Sequence, residues 1–335
     1  MLESNAYVRC LLVDFSKAFD RVDHVVLVNK LSKLKLPICI FNWLISFLTG
    51  RSHTTRFSGV ESCPLQINLS IVQGSGLGPT FYIILESDLK PLSSINVIFK
   101  YADDTNLLVP EHTDVTLHEE FVAIQNWAAN NKMIINFAKT KEIVFRRPNP
   151  KMDIDLPSLP GVEQINEVKL LGVIFSNRLH FDAHVNFILK TCSQRSYIMR
   201  KFRDQGLSKS QLNIVFDAII LSRIMYASQS WSGFVSHELV GRIDAFFRRM
   251  YKYGFCQQLY SFQAISNTRD LTLFREILKP YNCLHLLLPL ERSIDVKLRP
   301  RGHNFTLPIC KYDLYKSSFV NKCLYRLYSV NCLSF

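Results

Sequence analysis

The chain of 335 residues is long enough for two or three folding units, and its 48% hydrophobic content with 24 Phe argues against intrinsic disorder. Its formal charge of +12 favours a polyanionic partner, which can be nucleic acid, an anionic membrane or a ribosomal neighbour. Nine dispersed cysteines without a CxxC pair, no signal-peptide pattern after Met1, and apolar stretches well below ~20 residues predict an intracellular protein with reduced, buried thiols, neither secreted nor membrane-spanning.

In the first 90 residues, apolar spacing and turn residues predict short strands and helices that alternate. In chain order they are a strand over residues 7–15, a helix over 16–36, a helix over 40–48, a β-rich hairpin-like segment over 51–72, a glycine-rich turn over 73–79 and a helix from Thr80 to about Leu89. Pro79 at the start of the last helix fits the usual preference for proline there.

The rest of the chain begins as strands and helices and then becomes helical. The predicted elements are a hairpin over residues 96–101 and 105–109 with Asp103 and Asp104 at its tip, a helix over 115–130, strands over 133–136 and 142–145, an irregular segment over 146–160, a strand over 168–175, helices throughout 181–253, and short helices over 284–288 and 314–328. Residues 181–260 hold eleven Lys or Arg against five Asp or Glu, a net charge of +6.

Acidic residues stand at the ends of two predicted strands. Asp14 ends the first strand, and Asp103 and Asp104 lie between two apolar runs. Carboxylates are the usual protein ligands of Mg²⁺, and nucleotidyl transfer uses two such ions. Taken alone, Asp14 fits a helix N-cap and the Asp103–Asp104 pair fits a solvated turn. Their occurrence together, with a glycine-rich turn between them, favours a shared metal site.

Several segments of the chain resemble the motifs of reverse transcriptases. Leu11–Asp20, the turn Gln73–Pro79 and Phe99–Thr105 resemble motifs A, B and C, in detail those of non-LTR (LINE-type, jockey-like) retrotransposons. Trp127–Phe145, including Asn136–Lys141, resembles motif D. The segment from Leu170 to Leu179 with His184 resembles the primer-grip region, and Gly302–Leu324 resembles the C-terminal end of such proteins.

The resemblance implies an α+β fold, in which a polymerase right-hand palm (an antiparallel sheet with helices) is followed by a helical thumb. It implies a reverse transcriptase palm with motifs A to D over residues 1–165, a primer-grip-like hairpin over 166–180, a helical thumb over 181–255 and a C-terminal tail region over 256–335. The thumb would grip the template–primer backbone through its basic residues. A helical bundle with solvated basic faces is the plainer alternative for the same stretch.

The resemblance also assigns roles to single residues. Asp14, Asp103 and Asp104 would bind two Mg²⁺ ions, with Mn²⁺ as a possible substitute, and Lys139 (with Lys141 as the alternate) would protonate pyrophosphate. Phe19 would select deoxynucleotides by excluding a 2′-hydroxyl, and its alternative is a core residue. The residues expected to contact the template base, the incoming nucleotide or the primer terminus are Gln73, Gly74, Ser75 and Tyr101. For the glycine-rich turn the alternative is an ordinary turn with a helix cap. For Lys139 the alternative is a surface lysine.

The function implied is RNA-directed DNA synthesis, with an RNA template, a DNA primer and deoxynucleoside triphosphates, in the nucleus or in a cytoplasmic ribonucleoprotein. Only thirteen residues precede Asp14, so the resemblance predicts an N-terminally truncated enzyme with its fingers largely absent and its activity impaired. Two alternatives stay open. One is a non-catalytic protein that binds RNA or DNA through its basic helices, and the other is an inert retrotransposon remnant.

Overall fold

The computed structural model describes residues 1–72, 74–147, 156–291 and 303–329. The chain divides into two compact units. The sheet unit consists mainly of Asn5–Phe145 and residues 156–166, and the helical unit consists of the described residues from Glu167 onward with short pieces at residues 2–4 and 146–147. Gln73, half of the irregular segment 146–160 and Gly302 lie outside the described residues. The predicted α+β class is confirmed.

The sheet unit contains strands and helices that follow one another in short alternation. They are β1 (Tyr7–Val13), a 3₁₀ turn (Phe19–Arg21), α1 (His24–Leu31), α2 (Ile38–Leu48), β2 (Ser52–His53), β3 (Arg56–Phe57), β4 (Val60–Glu61), β5 (Leu65–Gln66), α3 (Gly78–Leu85), β6 (Val97–Tyr101), β7 (Asp104–Pro110), α4 (Leu117–Asn130), β8 (Lys141–Arg146) and β9 (Glu163–Ile165).

The helical unit begins with a hairpin and continues as helices. Its elements are β10 (Glu167–Leu170), β11 (Val173–Ser176), α5 (Asp182–Asp204), α6 (Lys209–Phe216), a π-helix (Asp217–Leu221), α7 (Ser222–Ile224), α8 (Ser228–Trp231), a 3₁₀ turn (Ser232–Phe234), α9 (His237–Lys252), α10 (Phe262–Ile277), a 3₁₀ turn (His285–Leu287), α11 (Asp313–Lys316) and α12 (Phe319–Ser329).

Five strands form the main sheet, in the order β6-β7-β1-β8-β9. β7 lies between β6 and β1 and is antiparallel to both, with Val13 opposite Thr105. β8 and β9 are parallel, so the expectation of an antiparallel sheet is wrong at this edge. Parallel neighbours need a connection of a dozen or more residues, and Arg146 and Glu163 are separated by sixteen residues in the sequence.

The core of the sheet unit explains why these strands form. Leu11 and Leu107 on the central strands are fully buried, as are Leu27, Leu31 and Leu85 on α1 and α3. Burying one such leucine contributes about 1.5–3 kcal/mol relative to leaving it in water. The helices therefore pack on the strands that carry the acidic residues, and this holds the strand ends in place.

Two predicted elements of the sheet unit are wrong in extent. The helix predicted over residues 16–36 begins only at His24, because Lys17 has a φ of +49° and the Asp23 side chain caps the helix by accepting the N–H of Val26 at 3.0 Å. The strand predicted over 133–136 is reduced to one bridge between Phe15 and Ile135.

The helical unit also departs from the sequence prediction at its start. The strand predicted over residues 168–175 is a hairpin, because Leu171 and Gly172 both have positive φ angles, +45° and +86°, and turn the chain back between β10 and β11.

The expectation of buried thiols holds for only half of the described cysteines: Cys10, Cys192, Cys256 and Cys323 are buried, and none of the eight described forms a disulfide.

Candidate active site

The pairing of β1 with β7 brings two of the predicted acidic residues face to face. The antiparallel register runs from Val8 opposite Pro110 to Val13 opposite Thr105. Continuing it by one position sets Asp14, the residue after β1, across from Asp104, the first residue of β7. Antiparallel partners of this kind lie about 4.5–5.5 Å apart at their Cβ atoms. The two acids, ninety positions apart in the chain, therefore belong to one site.

Asp103 joins this site from the tip of the β6–β7 hairpin. Tyr101 pairs with Asp104, so Ala102 and Asp103 form the two-residue connection. Ala102 has a φ of +52°, a left-handed conformation that costs a non-glycine residue about 1–2 kcal/mol. Tyr101 and Asp103 are exposed at this tip. The sequence placed both aspartates at the tip, whereas Asp104 is already part of the strand.

The backbone of Asp14 is fixed by the segment that resembles motif D. The N–H of Asp14 donates to the hydroxyl of Thr140 at 3.2 Å, and the C=O of Asp14 accepts the N–H of Asn136 at 2.8 Å. Lys139 is exposed in the turn between these two contacts. Lys141, the alternate candidate, forms an ion pair with Glu163 at 2.6 Å. Lys139 therefore lies in a turn whose residues Asn136 and Thr140 bind the backbone of Asp14.

The three carboxylates influence one another electrostatically. Burial raises the pKa of the Asp104 carboxyl, and the negative charges of Asp103 and Asp14 raise this pKa further. Like charges held together in this way attract a cation, whose binding relieves their repulsion. Within the described residues, no group of three or more His, Cys, Asp or Glu side chains is arranged to hold a metal ion by itself.

The donor set nevertheless fits magnesium that is shared with a substrate. Mg²⁺ is usually held by one or two carboxylates together with waters and substrate phosphates, not by a closed protein cage. Asp103 and Asp104 are exposed and Asp14 is half-buried, so these carboxylates are accessible to solvent. The chemistry and openness of these three side chains therefore suit Mg²⁺ or Mn²⁺.

Phe19 lies five positions after Asp14 and is held from two sides. Its ring stacks on the ring of Tyr82 in α3, with centroids 4.7 Å apart and planes inclined by 28°. Its C=O accepts the N–H of Ile71 at 2.9 Å. Phe19 remains half-buried, while Tyr82 is 1% exposed. The functional prediction and the core alternative for Phe19 are therefore compatible.

The glycine-rich turn before α3 has the geometry of a helix entry. Gly74 has a φ of +82°, and a Cβ at this position would meet no atom within 4 Å. The hydroxyl of Ser75 donates to the C=O of Val72 at 2.8 Å and accepts the N–H of Gly78 at 3.1 Å. Ser75 thus bonds the N–H of the first residue of α3, although the N-cap of this helix is Leu77, and Gly74 leaves open space beside the turn.

Glu86 is a site feature that the sequence reasoning missed. Its side chain is 2% exposed and lies next to the acidic hairpin. Burial raises the pKa of its carboxyl to about 7, and the negative charge of Asp103 acts in the same direction, while Tyr82, Lys100 and Thr105 oppose it. The only signal in the sequence was the spacing of Tyr82 and Glu86, four residues apart on one helix.

In the helical unit, the β10–β11 hairpin is linked at two points to a chain of aromatic residues. The N–H of Ile174 donates to Nδ1 of His184 at 3.2 Å. The His184 ring packs edge-on against the Trp231 ring, with the two centroids 5.0 Å apart. Nε1 of Trp231 donates to the C=O of Tyr226 at 3.1 Å, and the Tyr226 hydroxyl donates to the C=O of Leu171 at 3.0 Å. Burial lowers the pKa of His184 to about 4, so this ring is neutral near pH 7.

The basic character predicted for this region is visible on α9. Arg248 and Arg249 are exposed on this helix, while Phe246, Phe247 and Met250 are buried.

In the part of the chain that the structure describes, none of the helices is both long and apolar enough to cross a membrane.

Among solved structures, the chain is similar to two yeast telomerases, each determined with a fragment of telomeric RNA. The Candida tropicalis structure matches with a TM-score of 0.40 and 11% identity over 85% of this chain and 49% of that chain. The Candida albicans structure matches with a TM-score of 0.35 and 11% identity over 84% and 48%.

Relatives in sequence come from mobile elements of Drosophila. A probable RNA-directed DNA polymerase from transposon X-element of Drosophila melanogaster is 30% identical over 257 residues, covering 72% of this chain and 28% of that protein. The RNA-directed DNA polymerase from mobile element jockey of Drosophila funebris is 29% identical over 249 residues, covering 68% and 26%. The chain thus spans about a quarter of the length of these curated relatives.

A family model described as "Reverse transcriptase (RNA-dependent DNA polymerase)" matches residues 2–175, more than half of the chain. The matched range contains the three aspartates, Phe19 and the glycine-rich turn. The chain therefore belongs to the reverse transcriptase family, and its relatives are the polymerases of non-LTR retrotransposons such as jockey, X-element and BS.

Proposed function

We propose that this chain carries the polymerase centre of a retrotransposon reverse transcriptase and joins deoxynucleotides to a primer 3′-hydroxyl on an RNA template. The observation that carries the proposal is the pairing of β1 with β7, which sets Asp14 across from Asp104 with Asp103 at the adjoining hairpin tip. The family description supports RNA as the template. The primer and the deoxynucleoside triphosphates are part of the proposal.

Polymerases of this family generally use divalent metal ions. Asp14, Asp103 and Asp104 would hold two Mg²⁺ ions here, and Mn²⁺ could replace them. When bound, such ions lower the pKa of the primer 3′-hydroxyl and neutralise the charge on the departing pyrophosphate. Burial and the negative charges of Asp103 and Asp14 raise the pKa of the Asp104 carboxyl, and a bound cation would relieve this unfavourable ionisation.

The remaining residues position and protonate the reacting groups. The primer 3′-hydroxyl releases its proton to water, a bond forms between its oxygen and the α-phosphorus, and the bond from that phosphorus to the oxygen that bridges to the β-phosphorus breaks. Lys139 would donate its Nζ proton to the leaving pyrophosphate, since its turn is tied to the backbone of Asp14. Phe19 would lie under the sugar and exclude a 2′-hydroxyl. Tyr101, exposed beside Asp103, would contact the primer terminus.

The glycine-rich turn would contact the template base and the incoming nucleotide through Gln73, Gly74 and Ser75. Gly74 supports this because its position leaves space for close approach of another molecule. The domain assignment stays a proposal in the same way: a palm over residues 1–165, a primer-grip hairpin over 166–180, a thumb over 181–255 and a tail region over 256–335.

Primer extension on an RNA template with Mg²⁺ tests the proposal. Asp103→Asn keeps the size of the side chain and removes one negative charge from the site, and we expect it to lower extension by at least about 100-fold. Asp204→Asn is the matched control, because Asp204 is exposed at the end of α5 in the helical unit. Equal, non-zero extension by wild type and Asp103→Asn would contradict the assigned mechanism. No extension by the wild-type chain would contradict the proposed activity.

A further inference from the structure

Glu86 is a buried carboxylate for which the proposed reaction has no use. It directly follows the last residue of α3. Its carboxylate accepts a hydrogen bond from the Tyr82 hydroxyl at 3.0 Å and lies 3.5 Å from the hydroxyl of Thr105 in β7. Thr105 directly follows Asp104. Glu86 therefore touches, on one side, the strand that carries an active-site acid and, on the other, the helix that follows the glycine-rich turn.

Tyr82 extends this contact to the nucleotide side of the site. Its ring stacks on Phe19 at 4.7 Å while its hydroxyl is bound by Glu86, so the ring is restrained both at its face and at its tip. Phe19 is the half-buried member of the three, and Tyr82 and Glu86 lie behind it at 1% and 2% exposure. The order Glu86, Tyr82, Phe19 thus leads from the interior toward the proposed sugar position.

The charged groups around Glu86 show that a carboxylate is retained there at a cost. Lys100 on β6 donates to the backbone C=O of Glu86 and attracts its carboxylate, while Asp103 repels it. The net effect is a carboxyl whose ionisation is opposed by burial. A neutral side chain would fill this space without that penalty. A charged acceptor binds a phenol hydroxyl about twice as strongly as a neutral one, which is what the carboxylate gains.

We propose that Glu86 and Tyr82 are positioning residues that hold the Phe19 ring in place and thereby set the discrimination between deoxynucleotides and ribonucleotides. The inference rests on the proposed function of Phe19 and extends it to two residues that never touch the nucleotide. Weakening the bond from Tyr82 to Glu86 lets the Tyr82 ring move. Because the two rings share one stacked face, Phe19 then moves with it and excludes the 2′-hydroxyl less strictly.

The test measures binding of dGTP and GTP to the full chain on an RNA template with a primer that ends in a dideoxynucleotide, so that no reaction follows. The measured quantity is the Kd of GTP divided by the Kd of dGTP, both in Mg²⁺, so a high ratio means a preference for dGTP. We expect wild type to prefer dGTP, Tyr82→Leu to lower the ratio about tenfold, and Glu86→Gln to lower it about threefold. Ser87→Ala, at an exposed neighbour in the turn that follows the same helix, is the control and should keep the wild-type ratio.

Glu86→Gln also separates positioning from stability, because this variant should be more stable than wild type above pH 7 and yet discriminate less well. A role in stability alone predicts the same or better discrimination. The proposal is overturned if both variants keep the wild-type ratio within about twofold, or if wild type binds dGTP and GTP equally. If wild type prefers dGTP and both variants lower this preference, but no variant or wild type extends a primer, the positioning role is supported and only the proposed activity is contradicted.

Discussion

Replacing Glu86 with glutamine should stabilise the sheet unit, and the gain should depend on pH. Glutamine has nearly the same size, keeps an oxygen that can accept the Tyr82 hydroxyl, and cannot ionise. In the wild-type chain the pKa of the Glu86 carboxyl is about 7, against an ordinary value of 4.5. The folded state therefore binds this proton more tightly than the unfolded state does.

The sign and the size of the effect follow from this difference in pKa. Below pH 4.5 the carboxyl is protonated in both states, and the stabilising effect of the tighter proton binding is fully present. As the pH rises through 7 this effect is lost, because the folded chain must then hold a buried carboxylate. At about 1.4 kcal/mol per pKa unit, the separation between 4.5 and about 7 corresponds to about 3.5 kcal/mol. Glu86→Gln removes that loss.

Urea denaturation at about pH 5 and about pH 8.5 measures the effect. Hydrogen-exchange mass spectrometry of peptides from α3 identifies the transition of the sheet unit. We expect the free energy of unfolding of Glu86→Gln, relative to wild type, to rise by about 2–3 kcal/mol between these two pH values. Parallel pH profiles for the two proteins would refute the reasoning, since they would mean that Glu86 ionises alike in the folded and unfolded chains.

Glu120→Gln is the matched control. Glu120 is 1% exposed, and its carboxylate accepts the backbone N–H groups of Leu92 and Ser93 and the side-chain amide of Asn96 at 2.8–3.1 Å. A glutamine here turns an NH₂ group toward these donors and leaves at least one unpaired. This variant should lose about 1–3 kcal/mol of stability at both pH values. The same substitution at two buried glutamates of one unit is thus expected to change the free energy of unfolding in opposite directions.

Three further results are expected. Tyr226→Phe should raise hydrogen exchange in the β10–β11 hairpin by the equivalent of about 0.5–1 kcal/mol, because Leu171 loses the hydroxyl bound to its C=O; unchanged exchange would contradict this. Gly172→Ala should cost about 1–3 kcal/mol in urea denaturation, since φ is +86° and the new Cβ would lie 3.1 Å from the Tyr226 ring; a neutral result would show that the hairpin can shift. Replacing Arg248 and Arg249 with Glu should weaken RNA binding and reduce the slope of log affinity against log salt by about 2, and an unchanged slope would show that α9 does not contact phosphates.

The strands that carry the acidic residues could be predicted because their signals are local. Residues 7–13, 97–101 and 105–110 are rich in β-branched, aromatic and leucine residues; Asp14 follows the first run, and Asp103 and Asp104 lie between the other two. The helix predicted over residues 16–36 failed for the opposite reason. Its apolar periodicity was real, but the left-handed Lys17 and the cap at Asp23 delay the helix to His24. Local spacing did not reveal that the chain turns there to bring Phe19 against Tyr82.

The roles of Asp14, Asp103, Asp104, Phe19 and Lys139 stay predictions, which rest on the resemblance and which the geometry makes chemically reasonable. By itself, the sequence determined the family, the residue types available for metal binding and the order of strands and helices, because motifs and hydrophobic periodicity are properties of short segments. Only the tertiary structure decided that Asp14 faces Asp104 and that Glu86 is buried behind Phe19. Strand register and burial arise from contacts between residues far apart in the chain, and no local pattern encodes them.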